Sequence, residues 1–436
     1  MVEVAEIKIW GNLVGAITWN ASEQLAYFQF DKKFLSRGID LAPIKMPIRN
    51  GDVIYSFPEL RRGRDDISAT FKGMPGLIAD SLPDRYGNQL INTWLAQNGR
   101  SLESINPVEQ LCFVGTRGMG ALQFEPAKTM VTTETFAVEI DSLIETAHKM
   151  LSTRRQFKTN LKDDELKAMH DILKIGTSAG GARPKAVIAY NPETGEVRSG
   201  QTVCPKGFEQ WLIKLDAVSD VQFGKTHGFG RVEYAYYLMA KEAGIEMMPC
   251  RLLEENGRAH FMTQRFDRDA NDVRHHIQTF CGIQHFDFND IHSFSYEQLF
   301  QTMRILRLTY PEAEQMYRRM VFNVMATNFD DHTKNFAFIL KKGEQWKLAP
   351  AYDFCYSYAP DNYWVNQHSL SINGKRDNIT LADLMTIAKN NNIRRAKIII
   401  EEVKEVVANW SKFSKEADVD SKLSKLIYDT LRVHNF

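Results

Sequence analysis

Apolar and polar residues alternate at the start of the chain. EIKIW (6–10) and LVGAITW (13–19) flank Gly11-Asn12, and LAYFQFD (25–31) follows. A period of two about a Gly-Asn turn predicts a β meander. The period then lengthens. In LPDRYGNQLINTWLAQNG (82–99) Leu90, Ile91, Trp94 and Leu95 share a helical face, and Asn98-Gly99 supplies the stop. PVEQLCFVGTRGMGALQFEP (107–126) predicts a short helix, a Gly-rich turn and a strand. Helical spacing marks 134–154 and 161–174, with Asn160 as N-cap of the second.

The pattern changes near residue 175. IGTSAGGARPKAVIAYNPETGEVRSGQTV (175–203) predicts a Gly-rich turn between apolar segments and then a hairpin. QWLIKLD (210–216) is a short apolar strand carrying one lysine. RVEYAYYLMAKEAGIEM (231–247) is a helix, and CRLLEENGRAHFMTQRFDR (250–268) a hairpin turning at Asn256-Gly257. After residue 285 the chain is expected to be mostly helical, except from Asn335 to Asp353. Gly-rich turn, strands, lysine strand, helix, hairpin, helical region is the order of a two-lobed kinase.

Composition narrows the class without deciding it. The 436 residues, 44% hydrophobic and 25% charged, predict more than one globular domain. Formal net charge is zero, which gives no global sign of a nucleic-acid binder. No run of 18 apolar residues occurs, and the acidic, alternating start does not read as a signal peptide, so no membrane span and a cytoplasmic location are expected. The five cysteines lie far apart, which argues against a disulfide framework or a Cys-based zinc site. Local basic groups occur at 61–64 (RRGR) and at Arg394, Arg395 and Lys397. Glu401, Glu402 and Glu405 follow the latter closely, as on a solvated helix face.

Four stretches carry candidate chemistry. TNFDDHTKNFAFIL (327–340) holds Asp330, Asp331, His332, Lys334 and Asn335, with Asp330 and Asn335 spaced D-x-x-x-x-N. A strand NFAFIL, a turn KKGEQ and a returning strand WKLAPAYDF would put Asn335 and Asp353 at one end of a hairpin. Their hard oxygens suit Mg²⁺, and Asp330 is placed to accept a hydroxyl proton. An Asp-rich turn capping a helix is the bland alternative. GTSAGGARPK (176–185) can bring backbone N–H groups to an anion, although it matches neither common phosphate-loop pattern. Lys214 sits among Trp211, Leu212, Ile213 and Leu215, where a nucleotide phosphate or Glu233 can offset its charge; a solvent-facing lysine is the alternative. In MTQRFDR (262–268) the backbone can read adenine, while Arg265, Asp267 and Arg268 can equally form a surface ion-pair network.

IGTSAGGARPKA, WLIKLD, MTQRFDR, ATNFDDHTKNFAF and PAYDFCYS, taken together and in order, resemble the HipA-like toxin kinases of bacterial toxin–antitoxin systems. SLPDRYGNQLI and GMGALQFEP resemble the N-terminal domain that precedes the kinase core there. The resemblance runs from about residue 5 to 430. It implies an α+β fold: an N-terminal β-rich domain followed by a two-lobed protein-kinase-like core with a mostly helical C-terminal lobe. The expected boundaries are 1–130, 131–268 and 269–436.

It further implies a serine/threonine protein kinase using ATP and Mg²⁺. By match, Asp330 is the catalytic base, and Asn335 and Asp353 are the metal pair. Lys214 is the phosphate-contacting lysine. Gly180, Gly181, Ala182, Arg183 and Lys185 form the loop over the phosphates, and Gln264, Arg265 and Phe266 the adenine-reading hinge. His332, Lys334 and Tyr352 also line the nucleotide site, and Ser178 is the autophosphorylated serine. Phosphate on Ser178, within a loop that holds ATP phosphates, would switch the kinase off. The implied partners are a HipB-like helix-turn-helix antitoxin, operator DNA mainly through that antitoxin, and a protein substrate in translation such as an aminoacyl-tRNA synthetase. The alternatives are a catalytically weak or silent corepressor working with a DNA-binding antitoxin, or a small-molecule kinase. A Mg²⁺-dependent phosphatase or nuclease would leave Lys214 and the glycine turn unexplained.

Overall fold

The computed structural model describes residues 2–61, 70–83, 85–127, 138–141, 143–144, 184–200, 203–216 and 228–436. The turn at 176–183, with Ser178, Gly180, Gly181, Ala182 and Arg183, lies outside the described residues. So does nearly all of the expected helical sequence at 134–154 and 161–174. Two compact units are present: Met1–His227 with Leu253–His276, and Gly228–Leu252 with Ile277–Phe436.

The first unit opens with the expected meander. Strands β1 (Val4–Ile9), β2 (Asn12–Asn20) and β3 (Leu25–Phe30) join β4 (Ile54–Tyr55) and β5 (Leu122–Glu125) in a sheet of order β4-β3-β2-β1-β5. In β1 and β3 the alternate residues Ile7 and Ile9, and Phe28 and Phe30, are buried, as a one-sided core requires; on β2, Val14 and Ile17 are buried across a register shift opposite Ile7 and Lys8. A second sheet has the order β7-β6-β8-β10-β9, from β6 (Lys185–Tyr190), β7 (Val197–Ser199), β8 (Glu209–Lys214), β9 (Cys250–Glu255) and β10 (Arg258–Gln264). The Asn256-Gly257 turn has φ of 46° and 74°. Two consecutive positive φ angles are what a tight hairpin turn demands.

The helix Arg85–Gln97 packs into two apolar clusters. Tyr86 and Leu90 pack with Ala186, Ile188, Trp211, Ile213 and Met262 of the second sheet. Ile91 and Leu95 on its other side pack with Ile105 and Phe113.

The second unit is largely helical, as expected. It contains Phe229–Glu242, Tyr296–Ile305, Tyr310–Met325, Leu381–Asn390, Ala396–Ala408, Trp410–Glu416 and Ser421–Thr430. A small sheet has the order β11 (His276–Thr279), β12 (Ala337–Leu340), β13 (Lys347–Leu348). Two differences have local causes. The returning strand is only two residues long, because Pro350 lacks the N–H that the ladder needs. Residues 354–380, expected to be mainly helical, form turns and isolated bridges; Pro360, Asn362, Asn366, Asn373-Gly374 and Asn378 favour turn conformations.

Of the late basic residues, Arg395 pairs with Glu402 at 3.6 Å and the Arg394 guanidinium lies over Tyr310. That is the solvated face read from the sequence. The five cysteines are free thiols. Among the described residues, no helix is long and apolar enough to cross a membrane.

Candidate active site

The stretch 327–335 begins at the end of the helix Tyr310–Met325 with an uncommon backbone. Thr327 has φ of 55°, unusual for a β-branched residue, and its hydroxyl is held by the Thr430 carbonyl at 2.9 Å. The chain then presents two adjacent acids in opposite environments.

Asp331 is fully buried and saturated. Its Oδ2 accepts from the Tyr296 hydroxyl at 2.8 Å and from His368 Nδ1 at 2.9 Å, and its Oδ1 accepts from the Ser369 N–H at 2.8 Å. Tyr296 in turn accepts from Asn323 Nδ2 at 3.0 Å, and Asn323 Oδ1 accepts from Asn328 Nδ2 at 2.9 Å. Burial first, and the Asp331 charge second, push the Tyr296 phenol well above its ordinary value. It stays protonated and donating.

Asp330 is different: its side chain keeps 47% of its surface exposed, 3.8 Å from His332 Nε2. One acid of the pair is tied into the core and the other faces out. Neither caps a helix. The cap of the short turn Thr333–Asn335 is His332, whose Nδ1 accepts from the Lys334 N–H at 3.2 Å.

Asn335 Nδ2 donates to the Asp330 carbonyl at 2.6 Å, which leaves Oδ1 as the group with which Asn335 can meet a cation. In the β12–β13 hairpin Phe338 pairs with Leu348 and Ile339 with Lys347. The Tyr352 hydroxyl, two residues past Pro350, reaches back to the Lys334 carbonyl at 2.7 Å. The hairpin thus carries Asn335 at one strand's start and Asp353 just past the other's end. Asp353 itself has φ of 58°, a conformation costing about 1–3 kcal/mol and concentrated at functional sites. Two hard oxygen donors are the kind of sparse protein ligation that Mg²⁺ takes. Among the described residues no cluster of three His, Cys, Asp or Glu competes as a metal centre. His332 packs at 5.3 Å against the ring of Phe288, and the Lys334 ammonium lies 4.7 Å from that ring's centroid.

In the first unit, the ladders place Lys185 directly opposite Lys214, and Lys214 directly opposite Phe261. Both lysines therefore stand on one face. The Lys185 side chain is buried, and the Lys214 ammonium is 5.7 Å from the Phe261 centroid. Like charges facing across a ladder are unfavourable unless an anion is nearby. Gln264 pairs with Trp211, and the Arg265 N–H donates to the Gln210 carbonyl at 2.9 Å. Glu233 is buried on the helix Phe229–Glu242 of the second unit.

One alternative reading fails. Arg265, Asp267 and Arg268 are not a surface network: Asp267 is fully buried and takes Arg265 bidentately at 2.8 and 2.6 Å, with Arg268 at 2.6 Å. By itself burial would raise the Asp267 carboxyl; the charges of Arg265 and Arg268 and their hydrogen bonds outweigh it and hold the carboxyl far below the usual range. Tyr296, Asn323, His368 and Phe288 were not singled out from the sequence. Their partners are 27 to 44 residues away, beyond the reach of any spacing rule.

A profile described as the HipA N-terminal domain matches residues 5–125, and one described as the HipA-like C-terminal domain matches residues 177–410. The chain belongs to the HipA family. A chain of the Shewanella oneidensis MR-1 toxin–antitoxin complex of HipA, HipB and operator DNA has the same fold. The TM-score is 0.66 over 98% of this chain and 94% of that one, at 16% identity. A Haemophilus influenzae protein named "Putative kinase" is 28% identical over 137 residues, which span 28% of this chain and 39% of that protein.

Proposed function

We propose that this chain is an ATP- and Mg²⁺-dependent serine/threonine protein kinase acting as the toxin of a toxin–antitoxin pair. One observation carries the reading: Asp330 is accessible beside a saturated Asp331, five residues before Asn335, on the hairpin that leads to Asp353. Asp330 accepts the proton of the attacking serine or threonine hydroxyl as its oxygen bonds to the γ-phosphorus and the bond to the β-phosphate oxygen breaks, releasing ADP. Asn335 and Asp353 would hold Mg²⁺, which when bound neutralises phosphate charge. Lys185 and Lys214 offset further phosphate charge. The backbone of Gln264–Phe266 reads adenine, and His332, Lys334 and Tyr352 line the nucleotide.

The loop Gly180–Arg183 covers the phosphates, and Ser178 is autophosphorylated, which switches the enzyme off. The substrate is a protein of translation, such as an aminoacyl-tRNA synthetase. A HipB-like antitoxin restrains the toxin in the cytoplasm and connects it to operator DNA. The family membership and the complex that shares the fold support this reading.

The test is incubation of the purified protein with γ-labelled ATP and Mg²⁺ beside Asp330→Ala, with labelled residues mapped by mass spectrometry. Label on Ser178 that vanishes in Asp330→Ala is the expected result. Preparations with unphosphorylated Ser178 that bind ATP and transfer nothing would favour the corepressor alternative.

A further inference from the structure

The profiles divide the chain at 125 and 177, but the hydrogen bonding does not respect that division. Asp267 lies three residues past Gln264, at the entry to a folded-back loop. In that loop the Arg268–Arg274 bridge and the His275 N–H on the Asp267 carbonyl, at 3.0 Å, close the backbone on itself. The N-terminal domain grips this loop at three places. The Gly120 N–H donates to Asp267 Oδ2 at 2.7 Å, while Arg268 returns bonds to the Gly120 and Gly118 carbonyls at 3.0 and 3.3 Å. Trp10 Nε1, from the turn between β1 and β2, donates to the Arg274 carbonyl at 2.7 Å. The buried His276 imidazole is hydrogen-bonded to the backbone of Leu41.

These contacts join residues up to 264 positions apart. Gly120 has φ of 77°, so the turn that aims its N–H at Asp267 calls for glycine. Below the loop, Tyr86 and Leu90 of the N-terminal domain share one apolar core with Ile213 and Met262.

We propose that the N-terminal domain is the positioning element of the segment Gln264–Phe266. It fixes, through Asp267, Arg268 and Trp10, the backbone that receives the nucleotide base. The nucleotide part rests on the kinase reading above. The physical reason is saturation. Without the Gly118–Gly120 turn, a buried carboxylate loses a donor and a buried guanidinium loses two acceptors, and neither can be rehydrated where it lies. The loop then has no reason to keep its shape, and the strand end just before it is released. Asp267, Arg268 and Trp10 are positioning residues; none is assigned a contact with ATP.

Trp10→Phe and Arg268→Lys in the full-length chain test this, with Ile17→Val in the first sheet as a control for general destabilisation. Each is measured by amide hydrogen exchange over 261–268, calorimetric titration with ATP and Mg²⁺, and steady-state kinetics. Trp10→Phe keeps an aromatic side chain at a half-buried position while deleting the indole N–H bond to the Arg274 carbonyl, so it is expected to fold even if Arg268→Lys does not. Both clamp variants are expected to exchange faster at 263–266 and to bind ATP about fivefold more weakly, with KM raised and kcat at saturating ATP unchanged. The control leaves all three as in the wild type.

Unchanged exchange at 263–266 in Trp10→Phe, or equal acceleration in Ile17→Val, overturns the proposal whatever ATP does. Faster exchange in a protein whose wild type binds no ATP upholds the clamp and overturns the kinase reading instead.

Discussion

At the scale of single residues, the decisive distinction is between neighbours. Asp330 and Asp331 are chemically identical, and the sequence separates them only by distance to Asn335. Their surroundings separate them by access: the Asp331 side chain is buried and that of Asp330 is half exposed. Asp331→Asn places an amide N–H among three donors and is expected to cost about 3 kcal/mol of stability. Asp330→Asn, half exposed, is expected to leave stability within about 0.5 kcal/mol. On the kinase reading proposed above it should still cut phosphate transfer about 10²- to 10⁴-fold, through loss of the assigned proton acceptor. Thermal melting beside the labelled-ATP assay separates the two. Equal losses of activity at equal stability would mean that the wrong carboxylate has been assigned.

At the scale of elements, local rules predicted more than packing did. The meander, the helix Arg85–Gln97, the lysine strand and the Asn256-Gly257 hairpin were legible because each is written in a short window of period, turn residue and stop signal. Gly257 shows why such signals are strong. Nothing lies within 4 Å of where its Cβ would be, so Gly257→Ala meets no clash; its left-handed φ alone is expected to cost about 1–2 kcal/mol, read by denaturant unfolding. The stretch 354–380 was misread as mainly helical because its purpose is tertiary. His368 and Ser369 within it reach the loop at Asp331, and Arg376 binds the Ser369 and Phe294 carbonyls. No periodicity announces a segment organised around a distant carboxylate.

At the scale of the whole molecule, buried ionisable groups set the response to pH. His260 accepts the Asp216 N–H on Nδ1 at 2.8 Å, and burial, then the nearby Arg258, bring its imidazole down to about 4; burial brings His276 to about 4 as well. Both gain a proton on unfolding below their ordinary value of 6.5. The unfolded state therefore binds more protons, and stability rises with pH across that window. The contribution is complete above 6.5 and is lost as pH falls toward 4. Asp267, held low in the fold, adds a further loss below its unfolded value of 3.8. The first melting transition is expected to fall between pH 7 and 4.5, and His260→Gln to remove its share of that slope.

The sequence by itself determined the family, the candidate chemistry-bearing residues and most of the elements outside 354–380, because period, turn residues and motif order are local properties of the chain. Tertiary structure decided which of two acids is left accessible, and it placed Lys185 opposite Lys214. It also turned an apparent surface trio, Arg265, Asp267 and Arg268, into a buried clamp on the N-terminal domain. Those outcomes depend on burial and on partners scores of residues away, and burial is a property of the packed chain.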